Sequence, residues 1–565
     1  MICFMAWFVA AWSCLLVVVM VSSMRLSRSA SSSCGSSCGH GGHGGWGPRS
    51  YPVIGCLVAF YRNRRRLLDW YTEMLAASPS QTIVVDRLGA RRTVVTANPA
   101  NVEHILRARF ANYPKGKPFT DVLGDLLGMG IFNVDGELWH AQRKLVSHEF
   151  SARALRDLEV TVLEAEARDR LVPALAAASR GGGVVDMQDV LRRFAFDVIC
   201  RVSLGVDPGC LDPALPAPRL AAAFDTAAGI IARRGAAPVA AVWKVKRALD
   251  AGSERRLREE VGVIHEAVMG LIRSRRKERA LLLVNGNGVG GGGGARSDLL
   301  SRMIECGYPD EAIRDMVISF IMAGRDTTSS ALTWFFWLLM RHRGVEAQVL
   351  DEIAATRRAR GAGEEGGDDG EGEGLDLDDY RRMRVLHAAL CETMRLYPPV
   401  AWDSKHAAAD DVLPDGTAVG RGDRVTYFQY GMGRMEAIWG ADAADFSLDR
   451  WLSLPRGGGD GAAAAAASPA AAAFAGVSPF KYPVFQGGPR TCLGKEMAFV
   501  QMKFVASAVL RRFELRPVDE GRTPAFVPLM TAHMAGGLNV TVRRRTPAPA
   551  TSTAANGTGG ELTSS

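Results

Sequence analysis

The sequence predicts a mainly α fold with small β-sheets, set behind an N-terminal transmembrane anchor helix. Three observations carry this reading. Segments at roughly 152–178, 187–204, 253–279, 310–342 and 380–396 repeat apolar residues at helical spacing. Two short β-branched runs, 82–86 and 92–96, flank Gly89 as strand, turn and strand. The first 24 residues contain no charged side chain.

Taken in order, residues 1–24 include Trp7, Phe8, Leu15, Leu16, Val17, Val18 and Val19. About 20 apolar residues span a bilayer core, whereas the core of a cleaved signal peptide is about 7–15 residues long. No basic residue precedes the run, while Arg25 and Arg28 follow it. Positive-inside orientation then leaves the bulk of the chain in the cytosol, and an endoplasmic reticulum signal anchor is expected. Residues 25–50 read as a Ser/Gly-rich tether that stiffens into a proline hinge at Pro48 and Pro52. Cys34, Cys38, His40 and His43 imitate zinc-ligand spacing there, but no periodic segment exists to close a metal site. Residues 51–545 form one catalytic domain, and 546–565 a disordered tail. Three low-complexity stretches, 286–295, 359–374 and 457–476, have no pattern able to bury a face and are expected to be disordered surface insertions.

Composition narrows the partners. With 68 basic and 60 acidic residues the net charge is +8. The run Arg62, Arg64, Arg65 and Arg66 suits a solvated face beside anionic lipid. No aromatic-basic module points to nucleic acid. Ten scattered cysteines make no disulfide framework and fit a reducing compartment.

The chemistry concentrates in four places. Cys492 lies in F-Q-G-G-P-R-T-C-L-G, residues 485–494. Gly487 and Gly488 permit a tight turn or close approach to a flat ligand, and the helical periodicity from Lys495 places the sulfur near a helix N-terminus, which favours a thiolate. Arg490 can reach a carboxylate. Ala323-Gly324-Arg325-Asp326-Thr327-Thr328 stands inside an apolar helical run, where glycine weakens the helix and an acid followed by a hydroxyl can bend it and hold water. Asp326 and Thr327 are candidates for general acid work; the alternative is a hydroxyl bonding its own helix carbonyls. Glu392 and Arg395, at i and i+3, can pair on one helix face, with Phe446-Ser447-Leu448-Asp449-Arg450-Trp451 following about fifty residues later. Trp139 and Arg143, at i and i+4, place two donors on one face; Trp139 could equally be a core aromatic.

Together, in this order, the motifs F-x-x-G-x-R-x-C-x-G, A-G-x-D-T-T, E-x-x-R and W-x-x-x-R resemble those of the cytochromes P450. The resemblance implies the P450 fold, haem b as cofactor with Cys492 as the axial ligand of its iron, and Trp139, Arg143 and Arg490 at the haem propionates. It also implies proton relay through Asp326 and Thr327, and a structural brace of Glu392, Arg395 and Arg450 behind the haem loop. Leu448-Asp449 stands where many members carry Pro-Glu, a departure confined to the local turn. Electrons would come from NADPH through NADPH-cytochrome P450 reductase, which a basic surface near the thiolate would suit.

Segments 118–128, 400–406, 430–435 and 531–537 are similar to the plant family 94, and within it to the B branch of jasmonoyl-isoleucine 12-hydroxylases. The expected substrate is therefore a small amphiphilic acid, oxidised at or near its methyl end, with jasmonate catabolism foremost. A general fatty acid ω-hydroxylase is the alternative. A P450-fold hydroperoxide isomerase and a non-enzymatic haem-binding protein stand further off, since neither needs Asp326 and Thr327.

Overall fold

The computed structural model describes residues 46–88, 91–151, 160–212, 219–237, 239–284, 298–361, 374–453 and 473–545. The expected anchor, the tether up to residue 45, the C-terminal tail and most of the three insertions lie outside these residues. Among the described residues, no helix is long and apolar enough to cross a membrane.

Strands β1 (Thr82–Val85), β2 (Thr93–Thr96), β3 (Val184–Asp186), β4 (Asp403–His406), β5 (Arg424–Tyr427), β6 (Phe513–Pro517) and β7 (Asn539–Arg544) build two sheets. The first has the order β1-β2-β5-β4, the second β6-β7-β3. The predicted hairpin pairs antiparallel, with Thr82 opposite Thr96. Its extension is less local: β2 runs parallel to β5, more than three hundred residues on, with Thr93 opposite Arg424. Small antiparallel pairs complete the β content, including Leu452–Ser453 with Ala473–Phe474. Ala473 and Phe474 were expected in a disordered insertion; Phe474 instead stacks on buried Trp451, which gives the strand its reason to form.

The helices that position the site are α1 (Lys117–Leu127), α2 (Gly136–Ser147), α3 (Met187–Leu204), α4 (Arg219–Ala236), α5 (Ser253–Val284), α6 (Asp310–Arg341), α7 (Arg343–Gly361), α8 (Arg384–Leu396) and α9 (Lys495–Leu510). Local chemistry explains their ends. Asp186 caps α3 by accepting from Gln188 N, and Gly205 closes it in the left-handed conformation. Helix α6, 32 residues and about 48 Å long, buries Trp334, Phe335 and Phe336 at its C-terminal half and anchors the larger hydrophobic core. A smaller core surrounds the first sheet.

Three helical expectations need correction. The run 380–396 is two helices, Leu377–Arg382 and α8, broken at Met383, whose backbone is extended. The break is caused from outside the segment: the buried Glu352 carboxylate of α7 accepts from the N–H groups of Arg384, Val385 and Leu386, starting a new helix. On the other side Lys503 Nζ donates to the carbonyls of Tyr380 and Met383. The run 152–178 is described from Val160 onward and passes through a π-helical turn at Ala167–Leu171, just before Pro173, which lacks an amide donor. Residues 359–361, expected in an insertion, are the last of α7.

His387 on α8 packs against Phe499 and Phe474, with ring centroids 4.1 and 4.6 Å away. Burial, aided by Lys503 and Lys495, pushes its pKa from 6.5 down to about 3. The unfolded chain therefore binds a proton that the folded one refuses, so stability is full above pH 6.5 and falls as pH drops toward 3. Urea melts at pH 7 and pH 5 should show His387→Leu losing about 1–2 kcal/mol less than the wild type on acidification.

Candidate functional site

The loop carrying Cys492 is wound from two 3₁₀ turns, Pro483–Phe485 and Gly488–Arg490. Cys492 N donates to Phe485 O at 2.8 Å and Thr491 Oγ1 to Gly488 O at 2.7 Å, closing the loop on itself. Gly488 has φ +63°, and a Cβ there would stand 2.0 Å from the carbonyl oxygen of Leu106. Its glycine thus serves a close approach between two backbone segments, the second being the π-helical turn His104–Ala108. Cys492 is solvent-accessible, yet protein surrounds its sulfur closely enough that burial raises the thiol above its ordinary range, against the Gly494 N–H, Arg143 and Lys495. Coordination to a metal would supply the charge that favours the thiolate.

Trp139, Arg143 and Arg490 meet beside this loop. The Arg490 guanidinium lies 4.5 Å from the Trp139 ring centroid and that of Arg143 5.6 Å. Arg143 Nη2 donates to Thr491 O at 2.6 Å. Arg490 Nη2 donates to Val134 O at 2.8 Å and to Asp135 Oδ1 at 2.6 Å. Asp135 also accepts the backbone N–H groups of Lys115 and Gly116, so one carboxylate ties the entry to α1, the entry to α2 and the cysteine loop.

Behind Arg490 lies a buried polar network that sequence reasoning missed. Lys115 Nζ stands 2.7 and 2.9 Å from the two oxygens of Asp403, and Lys405 Nζ 3.2 Å from one of them. Tyr427 Oη donates to Asp403 at 2.7 Å and also bonds Gln486, which itself reaches Asp403. His406 Nδ1 meets Lys115 O at 2.6 Å. Burial alone would lift the Asp403 carboxyl, but Lys115 and Lys405 hold it far below the usual carboxylate range. Burial lowers the Lys405 ammonium, and the like charges of Lys115 and Arg490 add to this against Asp403. The available signal was the string Asp403-Ser404-Lys405-His406: a strand with no apolar residue, which the fold buries at all four positions.

Glu392 and Arg395 form a bidentate pair with both N–O distances 2.7 Å and both side chains wholly buried. Arg450 Nε lies 3.3 Å from Glu392 Oε1, while Trp451 Nε1 and Ser447 N donate to the same carboxylate at 2.9 Å. Arg395 spends its remaining donors on the carbonyls of Gly433, Ala443 and Asp445. Tyr482, packed on Trp451, donates to Cys391 O at 2.9 Å and leads directly into the cysteine loop.

Asp326 and Thr327 lie on α6, with no direct bond to the cysteine loop. That loop and α6 are linked through Phe150, which stacks on Phe320 and packs beside Gly494. Helix α6 stays α-helical through Gly324, contrary to the expected weakening. A Cβ at Gly324 would stand 2.6 Å from Ile199 Cδ1, so the glycine admits α3 instead. Thr327 Oγ1 donates to Ala323 O at 2.7 Å, the back-bonding geometry. Asp326 Oδ1 is buried without a hydrogen-bond partner.

With this geometry in place, comparison with known proteins is informative. A sequence family described as Cytochrome P450 matches residues 46–535. Cytochrome P450 94B3 of Arabidopsis thaliana is 55% identical over 88% of this chain and 92% of its own length. Cytochrome P450 94B1 of the same plant is 54% identical, covering 88% and 91%. Cytochrome P450 94A2 of Vicia sativa is 43% identical, covering 88% and 91%. The crystal structure of the cytochrome P450DA heme domain superposes with a TM-score of 0.67 at 21% identity, over 88% of this chain and 97% of that one, a likeness of fold.

Removing one partner of a buried, fully bonded ion pair strands the other's charge. Glu392→Gln should therefore lower the unfolding free energy by about 3–5 kcal/mol in denaturant melts. A loss under about 1 kcal/mol would mean that the backbone carbonyls suffice to hold Arg395.

Proposed function

Because the chain belongs to the cytochromes P450, and within them to the plant family 94, we propose that this haem-dependent monooxygenase hydroxylates jasmonoyl-isoleucine at its 12-position, in jasmonate catabolism. The observation that carries the substrate is the identity of 54–55% to the two B-branch relatives, against 43% and 44% to the A- and C-branch relatives cytochromes P450 94A2 and 94C1. Membrane attachment through residues 1–24, an endoplasmic reticulum location with a cytosolic catalytic domain, and NADPH-cytochrome P450 reductase as the redox partner belong to the same reading.

The residues present fit haem. Around the cysteine loop four cationic side chains, Lys115, Arg143, Lys405 and Arg490, face two carboxylates, Asp135 and Asp403. That surplus suits the two propionates of a porphyrin, and an accessible thiol in a rigid loop suits its iron. In this reading Cys492 is the axial ligand, while Trp139, Arg143 and Arg490 hold propionates, joined by Lys115 and Lys405. Glu392, Arg395 and Arg450 brace the loop and do no chemistry.

Haem, when bound, supplies the activation of O2 with electrons from the reductase. The chain's own work is proton supply and positioning. Asp326 Oδ1, which has no hydrogen-bond partner in the protein, can hold water. Thr327 offers acceptor lone pairs as it stands and can donate its proton after leaving Ala323 O. An intact acid and alcohol at these positions favours hydroxylation over hydroperoxide isomerisation, which requires no proton delivery.

Turnover with reductase and NADPH on jasmonoyl-isoleucine and lauric acid in parallel tests the substrate. Consumption of the hormone conjugate is expected; consumption of lauric acid alone replaces this reading with a general fatty acid ω-hydroxylase. Cys492→Ser should abolish the red-shifted Soret band that carbon monoxide gives a reduced thiolate-ligated haem. Thr327→Ala should keep that band but cut the product formed per NADPH by roughly tenfold; unchanged coupling would remove Thr327 from the relay.

A further inference from the structure

Next to Asp326 stands a guanidinium shared between two carboxylates. Arg325 Nη1 donates to Asp225 Oδ1 on α4 at 2.7 Å, while Asp326 Oδ1 lies 3.7 Å from the same nitrogen, beyond hydrogen-bond range. The Arg325 side chain is 6% exposed, and its Nε, like Asp326 Oδ1, is buried without a hydrogen-bond partner. The group is therefore under-satisfied where it is, with a second anion within a small rotation. Asp225 Oδ1 also receives Arg192 Nη2 from α3, so one carboxylate occupies two cations. Phe196 supports the guanidinium face at 5.4 Å.

The surroundings give the arrangement a direction. Asp326 lines a recess of about 140 Å³ together with Gln188, Arg192, Asp225, Ser329 and His533. The charged or titratable groups facing Asp326 there are Arg192, Asp225, Arg325 and His533. A carboxyl facing that polar recess can exchange protons with water; one clamped by a buried guanidinium is a poor proton carrier.

We propose that Asp225 is a positioning residue for the proton relay: by engaging Arg325 it keeps that guanidinium from clamping Asp326 and leaves the Asp326 carboxyl open to the recess. This rests on the relay reading of Asp326 given above. It ties proton supply to the seating of α4, since displacement of that helix by a few ångström hands Arg325 to Asp326.

The test uses the full-length haem-loaded enzyme with reductase, NADPH and, in parallel, jasmonoyl-isoleucine and lauric acid. The readouts are the carbon monoxide difference spectrum, the substrate-induced Soret shift, product per NADPH, hydrogen peroxide released, and the solvent isotope effect on product formation. Asp225→Asn should retain both spectra, lose about three- to tenfold in product per NADPH, release the balance as peroxide, and show an enlarged isotope effect. Asp225→Glu should restore coupling, as should Asp225→Asn combined with Arg325→Gln, because the redirected charge is then gone. Unchanged coupling in Asp225→Asn overturns the proposal. So does a double variant less coupled than the single one, which would mark the contact as a structural tie between α4 and α6. If Asp225→Asn takes up no haem, the double variant decides: coupling within about twofold of wild type supports competition for Arg325, and a loss equal to that of Asp326→Asn refutes it. If Asp326→Asn itself leaves coupling intact, the relay reading falls and this role with it; if Asp326→Asn uncouples and Asp225→Asn does not, only the role of Asp225 falls.

Discussion

The wholly buried Glu392 carboxylate accepts five donors: two from Arg395, one each from Arg450 and its indole neighbour Trp451, and the backbone N–H of Ser447. Two opposite charges buried together rarely stabilise a fold by themselves, because desolvation offsets most of their attraction. What they impose is geometry. Every donor of Arg395 is aimed at a fixed oxygen, so α8 and the segment 433–451 can meet in only one arrangement. Trp451 then fixes Tyr482, Tyr482 bonds Cys391 on α8, and the first turn of the cysteine loop follows at Pro483. The sulfur is thus located by a chain of contacts that begins at a wholly buried ion pair.

On the opposite flank the loop is held by charges that stay under-compensated. Asp403 and Asp135 answer four cations, and burial works against Lys405, Arg143 and Arg490 alike. Such a cluster is expensive in a low-dielectric interior unless an anion joins it. The two flanks therefore differ in kind: one is a closed, satisfied network, the other a set of donors with capacity left over. In the proposed reading, haem propionates meet the second, and the first keeps the loop that receives the iron rigid.

Much of this was legible in the sequence, for identifiable reasons. Helix α3 was bounded correctly at 187–204 because its cap, Asp186, and its terminating Gly205 are encoded at its own ends. Trp139 with Arg143 and Glu392 with Arg395 were visible because spacing within one helix fixes which side chains share a face, and the cysteine loop because its glycines, Arg490 and the helical run that follows stand together in the chain. What escaped was non-local. The helix break at Met383 is caused by Glu352 and Lys503, neither of which belongs to the segment. Lys115 and Lys405 are ordinary surface residues until β4 is enclosed. The parallel pairing of β2 with β5 has no local signature, and neither does the capture of Arg325 by Asp225 from another helix. Thr327 shows a further limit: residue type announces a hydroxyl, but not which acceptor it has chosen.

Gly488 illustrates how far one backbone position can be closed to change. Its positive φ disfavours any side chain, and a Cβ would collide with a neighbouring oxygen. The two obstacles are independent, so relief of one leaves the other. The colliding oxygen is the main-chain carbonyl of Leu106, which every residue type possesses. No replacement at 106 can remove it, and a genetic screen for second-site suppressors of a Gly488 substitution has no complementary side chain to find. For a drifting lineage this position has no neutral amino-acid replacement, and the loop around it can diversify only by keeping that glycine still.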